Sequence, residues 1–288
     1  MLPPSSGADD PKNHIWVGTF GTWARQKARG VYNGYKYDSW GVSIGYDRQI
    51  ASIEGLLLGI NGTFAKGKLK TDHELTSVDL DSMSGTVYGS YTFHNMFFVD
   101  LSVSFARSKS DYSIQLIHGG HKTGSFDTDT TQIGFRTGFI FNAGSIKITP
   151  SVGVRHTRYT QKSFTETVYD SFHPANVFDA ASDSFVEIPI EITFAGTYDT
   201  GSVKITPELS VGFTSMVKRP KNSFSVGFAG SSYRAEIVGP QPDRNSFQAG
   251  LGLKIETPSN VEVFLEYDAG FAKSFTEHRL SAGIGYYF

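Results

Sequence analysis

Alternation with a period of two runs through this chain almost from end to end, and it leaves few folds open. The stretch Ser274 to Phe288 displays it plainly. Leu280, Ala282, Ile284, Tyr286 and Phe288 occupy every second position, while Arg279, Ser281, Gly283 and Gly285 fill the positions between. Successive side chains of an extended strand point to opposite faces, so this is a strand with one apolar face and one polar or small face. Aromatic rings gathered at the end of such a strand suit the boundary between membrane and water.

The same pattern recurs about 12 times between His14 and Phe288. Trp40, Val42, Ile44 and Tyr46 alternate with Gly41, Ser43, Gly45 and Asp47. Phe97, Val99, Leu101, Val103 and Phe105 alternate with Asp100, Ser102 and Ser104. Val261, Val263, Leu265 and Tyr267 alternate with Glu262, Glu266 and Asp268. The first strand, His14 to Arg25, carries Trp16, Phe20 and Trp23 in both registers, so its facing stays open. Many of these strands exceed the roughly 5–6 residues usual in soluble sheets. They reach the roughly 9–11 residues that a tilted strand needs to cross a bilayer.

The connections alternate as well. Tight turns are expected at His94-Asn95, Asn142 to Ser145, Asp199 to Gly201 and Thr257 to Asn260. Longer loops are expected near 27–36, 66–81, 108–129, 159–183 and 217–243. An even strand count, with short turns at one end and long loops at the other, describes an all-β fold: a 12-stranded antiparallel transmembrane β-barrel. A soluble sandwich gives no reason for that alternation. Lipid cannot hydrogen-bond an open sheet edge, so the first and last strands must pair and the polar register must face a lumen. Pro150, Pro189 and Pro207 fall inside strands, and each is expected to mark a bulge or a non-bonded position.

Composition excludes several classes. Net charge is −2, with no basic excess for nucleic acid. The absence of Cys removes disulfide and thiolate chemistry. No apolar run approaches the roughly 18 residues of a spanning helix. Residues 1–13 are rich in Pro, Ser, Gly and Asp and are expected to be a disordered segment ahead of a barrel domain at 14–288. They lack the basic and apolar regions of a signal peptide, so a longer exported precursor is expected.

The expected lumen register carries a charge pattern. Arg136, Lys147 and Arg155 lie on strands six and seven. Glu187, Glu191, Glu208, Glu256, Glu262, Glu266 and Asp268 lie on strands eight to eleven, with Lys254 and Arg279 among them. Such a pattern can set a transverse field that holds a basic segment in the pore, or these groups can satisfy one another and keep the lumen wet. Neither a cofactor nor a metal centre is expected: His118 and His121 in the HGGH stretch are two ligands without companions. Outward His156 and His278 have no outward Ser two residues away for lipase chemistry. The pairs Asp127/Asp129 and Asp179/Asp183 leave a rim protease site barely open.

Ser281, Gly283, Tyr286 and the final Phe288 resemble the C-terminal signal by which bacterial outer-membrane barrels are recognised by the barrel-assembly machinery. SWGVSIGYDRQI, TVYGSYTFHNMFFVDLSVSFA, KITPELSVGF and VEVFLEYDAGFAKSFTEHRLSAGIGYYF together resemble the autotransporter β-domain over about residues 14–288. That resemblance implies a barrel in the bacterial outer membrane that anchors and helps export an N-terminal passenger of the same polypeptide. Its implied partners are outer-membrane lipid, the assembly machinery, the passenger and a linker helix threading the pore. The barrel is expected to act as a monomer without enzymatic activity of its own, although lumen acids assist linker cleavage in some members. Residues 1–13 depart from the family, being too short and Pro-rich to supply that helix. A free-standing pore or adhesin barrel, and an outer-membrane hydrolase, are the alternative readings.

Overall fold

The computed structural model describes residues 13–72, 75–116, 119–169 and 173–288; residues 1–12, which hold nearly all of the segment expected to be disordered, lie outside them. Twelve long strands follow in chain order: β1 (Asn13–Gln26), β2 (Tyr35–Gln49), β3 (Leu56–Thr71), β4 (Thr76–Phe93), β5 (Phe97–Gln115), β6 (His121–Phe139), β7 (Ile146–Gln161), β8 (Ala181–Gly196), β9 (Lys204–Lys218), β10 (Asn245–Glu256), β11 (Val261–Ala272) and β12 (Phe275–Tyr287). Each pairs antiparallel with the next. β1 pairs with β12 from His14 opposite Tyr287 to Gln26 opposite Phe275, which closes the sheet on itself. No helix occurs among the described residues.

The register agrees with a lipid-facing exterior. Trp40, Val42 and Ile44 on β2, Leu101 and Phe105 on β5, and Leu251 on β10 are exposed apolar residues. In water they would be a liability, but in a bilayer they are the contact surface. Aromatic rings mark both edges of this band. Tyr46, Tyr91, Phe139, Tyr286 and Phe288 stand near the short turns, and Trp23, Trp40, Phe105, Phe247 and Phe271 near the long loops. The turns carry the backbone that two-strand reversals require. His94 and Asn95 have φ of 49° and 54°, and Asn260 has φ of 63°.

β1 resolves its ambiguity by turning Trp16 and Phe20 inward, opposite Gly45 and Gly41 of β2. The two rings lie where a side chain at those glycines would stand. Trp23 faces out. Tyr88 over Gly59 repeats the arrangement between β4 and β3. The inward glycines therefore make room for cross-strand rings, and together they pack the inner wall.

Two expected loops are not loops. β3 and β4 run on to Thr71 and from Thr76, and β5 and β6 to Gln115 and from His121, so most of 66–81 and 108–129 is strand. The outward register there becomes Lys66, Lys68, Lys70, Asp79, Asp81, Arg107, Lys109 and Asp111. Apolar residues disappear while the strand continues, because these segments rise above the bilayer into water. The loops between β7 and β8 and between β9 and β10 carry order of their own. Phe164–Thr165, Asn176–Phe178, Ser223–Phe228 and Ala235–Val238 form a separate four-stranded sheet.

Each strand proline meets a break in one of its two ladders. Ile188 and Pro189 lack partners on β7, within a ladder that is otherwise continuous on both sides. Pro150, opposite Ile192 of β8, lies where the β6 side of its ladder breaks between Gly138–Ser151 and Phe141–Ile148, and Pro207, opposite Leu253 of β10, lies where the β8 side breaks between Ala195–Glu208 and Tyr198–Ile205.

Leu265→Arg tests the facing directly. Leu265 is 48% exposed on the outward face, opposite Ala282. The change is expected to cost about 2–4 kcal/mol for a mid-bilayer position, and inward Glu266→Gln is expected to cost much less. Urea unfolding in lipid vesicles measures both.

Candidate pore interior and barrel seam

The inner wall is built in two parts. From β2 to β5 it presents hydroxyls that pair across strands: Ser43 with Thr63 at 2.8 Å, Thr86 with Ser104 at 2.9 Å, and Ser108 with Ser82 at 2.9 Å. From β6 round to β12 it presents the charged residues singled out from the sequence.

Arg136 on β6 joins two neighbours. It donates to Asp100 of β5 at 2.8 Å, lies 3.7 Å from Glu191 of β8, and packs over the Phe98 ring at 5.4 Å. Asp100 is 2% exposed, so its charge depends on that guanidinium. Arg155 of β7 donates to Glu187 of β8 at 2.7 Å. Lys147 lies on β7 opposite Ala195, near the short-turn end, with no ion pair within 4.0 Å among the described residues. Arg279 lies over the Phe20 ring at 4.3 Å and directly opposite Asp268. Glu208, Glu266 and Asp268 occupy the same inner register of β9 and β11, with no cation within 4.0 Å among the described residues. The basic and acidic residues thus meet in local pairs on one side of the lumen and leave a net acidic surface on β9 and β11.

At the short-turn end the network reaches the seam. Lys254 lies 3.5 Å from Glu256 and 3.8 Å from Glu262. The Tyr287 hydroxyl donates to Glu262 at 2.6 Å. His14, 5% exposed, stacks on the Tyr287 ring, with Nδ1 3.4 Å from Asp47 and Nε2 3.9 Å from Glu262. The Tyr88 hydroxyl donates to Asp47 at 3.0 Å. His14, Asp47, Tyr88 and Asp100 were not among the sequence candidates. Asp47 and Asp100 stood in the inward register and could have been found by it, whereas His14 was hidden by the undecided facing of β1.

The terminal residues divide by register. Ser281 and Gly283 face inward, and the Phe264 ring of β11 lies over Gly283 and reaches Gly18 of β1. Tyr286 and Phe288 face outward and are stacked. Asn13 and Phe288 exchange both backbone hydrogen bonds at 2.9 Å, which ties the last residue into the seam.

The remaining candidates serve structure. Asp129 pairs with Arg107 at 2.7 Å and Asp127 with Lys162 at 3.5 Å, both on the outer face. Asp179 accepts from the Ser225 hydroxyl at 2.6 Å and from Arg234 at 3.2 Å, which together hold its carboxyl below the usual range. Asp183 accepts from the backbone N–H of Asn222 at 2.9 Å. His121 stacks on Tyr169, and His118 lies outside the described residues. His278 faces outward and meets the Tyr267 hydroxyl at 2.8 Å, and His156 is exposed.

Known proteins share this architecture. The autotransporter beta-domain family matches residues 15–268. "Outer membrane protein A" of Rickettsia conorii is 23% identical over 294 residues, covering 95% of this chain and 14% of that protein. "Outer membrane protein B" of Rickettsia japonica is 24% identical over 281 residues, covering 92% of the chain and 16% of that protein. The chain therefore spans a small part of the length of these relatives. Among solved structures, the translocator domain of autotransporter NalP from Neisseria meningitidis superposes with a TM-score of 0.79 at 14% identity, covering 99% of this chain and 90% of that one. The beta domain of the Bordetella autotransporter BrkA gives 0.69 at 15% identity, covering 95% and 98%.

Removing Arg136 should leave Asp100 buried without its cation. Arg136→Met is expected to destabilise the barrel by roughly 3 kcal/mol, and adding Asp100→Asn should recover most of that loss. Denaturant midpoints of the single and double variants are the check.

Proposed function

We propose that this chain, which belongs to the autotransporter β-domain family, anchors an N-terminal passenger of the same polypeptide in the bacterial outer membrane and serves as its route to the cell surface. The observation that carries this reading is a closed 12-stranded barrel with a lipid-facing exterior and a polar lumen, in a chain that covers only 14% of a relative such as the Rickettsia conorii protein. Residues 14–288 act as the translocator unit, and residues 1–13 lead back toward the linker and passenger. Any enzymatic activity belongs to the passenger.

Within this reading the charged lumen wall receives the linker. The net acidic surface of Glu208, Glu266 and Asp268 favours a basic segment, and Arg136 and Arg155, held by their own acids, leave that surface in place. A barrel that works as a monomer is supported by one chain closing its own sheet. Ser281, Gly283, Tyr286 and Phe288 present the signal to the barrel-assembly machinery from an edge that is free until β1 pairs with it.

Two experiments test this. An epitope-tagged segment joined through a helical linker ahead of Asn13 is expected to become accessible to protease added outside intact cells. A tag that stays inside cells whose barrel has reached the outer membrane would sink the translocation reading. Deletion of Phe288 is expected to reduce the membrane-inserted fraction several-fold, read by heat-modifiable gel mobility; unchanged insertion would remove the assembly signal.

A further inference from the structure

The separate four-stranded sheet does not stand clear of the pore. On β5 and β6 the inward register continues above the bilayer as Ser110, Tyr112 and Ile114, paired with Phe126, Gly124 and Lys122. The Tyr112 ring lies where a side chain at Gly124 would stand, so both belong to the face turned toward the barrel axis. Rings run from that face into the sheet. Tyr112 and Phe126 meet Phe164 at 5.8 and 5.0 Å, Phe164 stacks on Phe178 at 4.5 Å, and Phe178 meets Phe224 at 5.8 Å. The sheet therefore packs inside the rim, over the lumen.

Its far edge reaches the other side. In the β1–β2 loop the Tyr32 hydroxyl donates to the Val238 carbonyl at 2.7 Å, and Arg29 donates to the Gln241 carbonyl at 2.6 Å and pairs with Asp243. Asp243 accepts from the Ser274 backbone N–H and hydroxyl at 2.8 and 2.9 Å. In a closed ring of twelve strands, the β5/β6 rim and the β12/β1 rim are nearly opposite. Strands about 4.8 Å apart and tilted by about 40° close such a ring at about 24 Å across. Four strands cover about 14 Å of that before side chains are counted, so the sheet spans most of the mouth.

Covalently the sheet hangs from one sector, on residues 162–180 between β7 and β8 and 219–244 between β9 and β10. Against β5 and β6 it is held by a small catch. Glu166, 5% exposed, accepts from Lys122 at 3.2 Å, from the Tyr112 hydroxyl at 2.9 Å and from the Asn176 backbone N–H at 3.0 Å. Lys122, 8% exposed, also donates to the Pro174 carbonyl at 2.9 Å. Beside the catch two residue pairs, Thr123–Thr167 and Lys122–Val168, join this loop to β6, and the ladder is broken below them as far as Thr128–Gln161. A carboxylate and an ammonium this deep are tolerated only together, and water takes both up again once they part. Such a contact has a shut state and an open state with little between them.

We infer that the four-stranded sheet is a hinged flap that shuts the outer mouth of the pore, turning on its attachments to β7–β10, with Glu166, Lys122 and Tyr112 as its catch on β5 and β6. The flap closes the barrel whether or not a passenger uses the pore, so a failure of translocation would leave it untouched.

Channel recordings in planar phosphatidylcholine bilayers test this, on chains first shown to be folded by heat-modifiable gel mobility. Every chain is recorded at full length and again from Asn13 onward. Glu166→Gln keeps the shape of the catch but strands the Lys122 charge, and is expected to raise mean conductance at least five-fold over the native chain. The chain has no Cys, so Thr123→Cys/Thr167→Cys can staple the flap to β6 at one register pair. Added to Glu166→Gln, the staple should restore native conductance when oxidised and release it when reduced. Native conductance in Glu166→Gln at both lengths would overturn the flap, as would a stapled chain whose conductance ignores its redox state. If Glu166→Gln does not fold, the staple in the otherwise native chain decides: oxidation should suppress its openings, and openings that persist would equally overturn the assignment.

Discussion

Backbone hydrogen bonding in lipid governs this molecule. A peptide group facing hydrocarbon has no water to turn to, so every strand must find two neighbours and the first must find the last. The exchange of both hydrogen bonds between Asn13 and Phe288, and the unbroken ladder from His14 to Gln26 against β12, are the local form of that requirement. Once the sheet is closed, the two faces of each strand inherit opposite tasks. Polarity is inverted relative to a soluble barrel: leucine and phenylalanine go outside, serine and glutamate inside.

An interior that is polar must still be ordered, and here it is ordered in two ways. On the hydroxyl side, short side chains bond across strands, and rings cover glycines, so the wall is smooth and nearly uncharged. On the other side, long charged residues meet in pairs whose members come from adjacent strands. Asp100 and Arg136 belong together for the reason that buried charges always do: removing one member leaves the other without solvent. Glu208, Glu266 and Asp268 stand where that rule is relaxed, and an acidic surface facing a water-filled lumen is what a basic guest would neutralise.

Much of this was legible in the residues. Period two gave the strand count, the facing of eleven strands, and the turns at His94-Asn95 and Asn260. What failed to show had physical causes. β1 carries rings on both faces, and only its partners, Gly41 and Gly45, reveal which ring is inside. The segments at 66–81 and 108–129 look like loops in the sequence because outward apolar residues vanish there, yet a strand in water above a membrane has no reason to be apolar. Alternation persists there with charge on the outward face, as in Lys66, Lys68 and Lys70 or Arg107, Lys109 and Asp111, a period that a search for apolar residues does not register. His14 became visible only with the seam, since its companions lie far away in sequence, at Glu262 and Tyr287.

The Phe264 ring has one more consequence. It belongs to β11, rests on Gly283 of β12 and touches Gly18 of β1, so a single side chain spans three strands across the point where the sheet closes. Hydrogen bonds at a seam can open one at a time like a zip, but a ring lying across it behaves as a bolt. Splitting the barrel sideways toward lipid requires the bolt to be withdrawn first, and the two glycines are the keeper that lets it slide home. A bulkier residue at either glycine would leave the door on its hinges but unlatched.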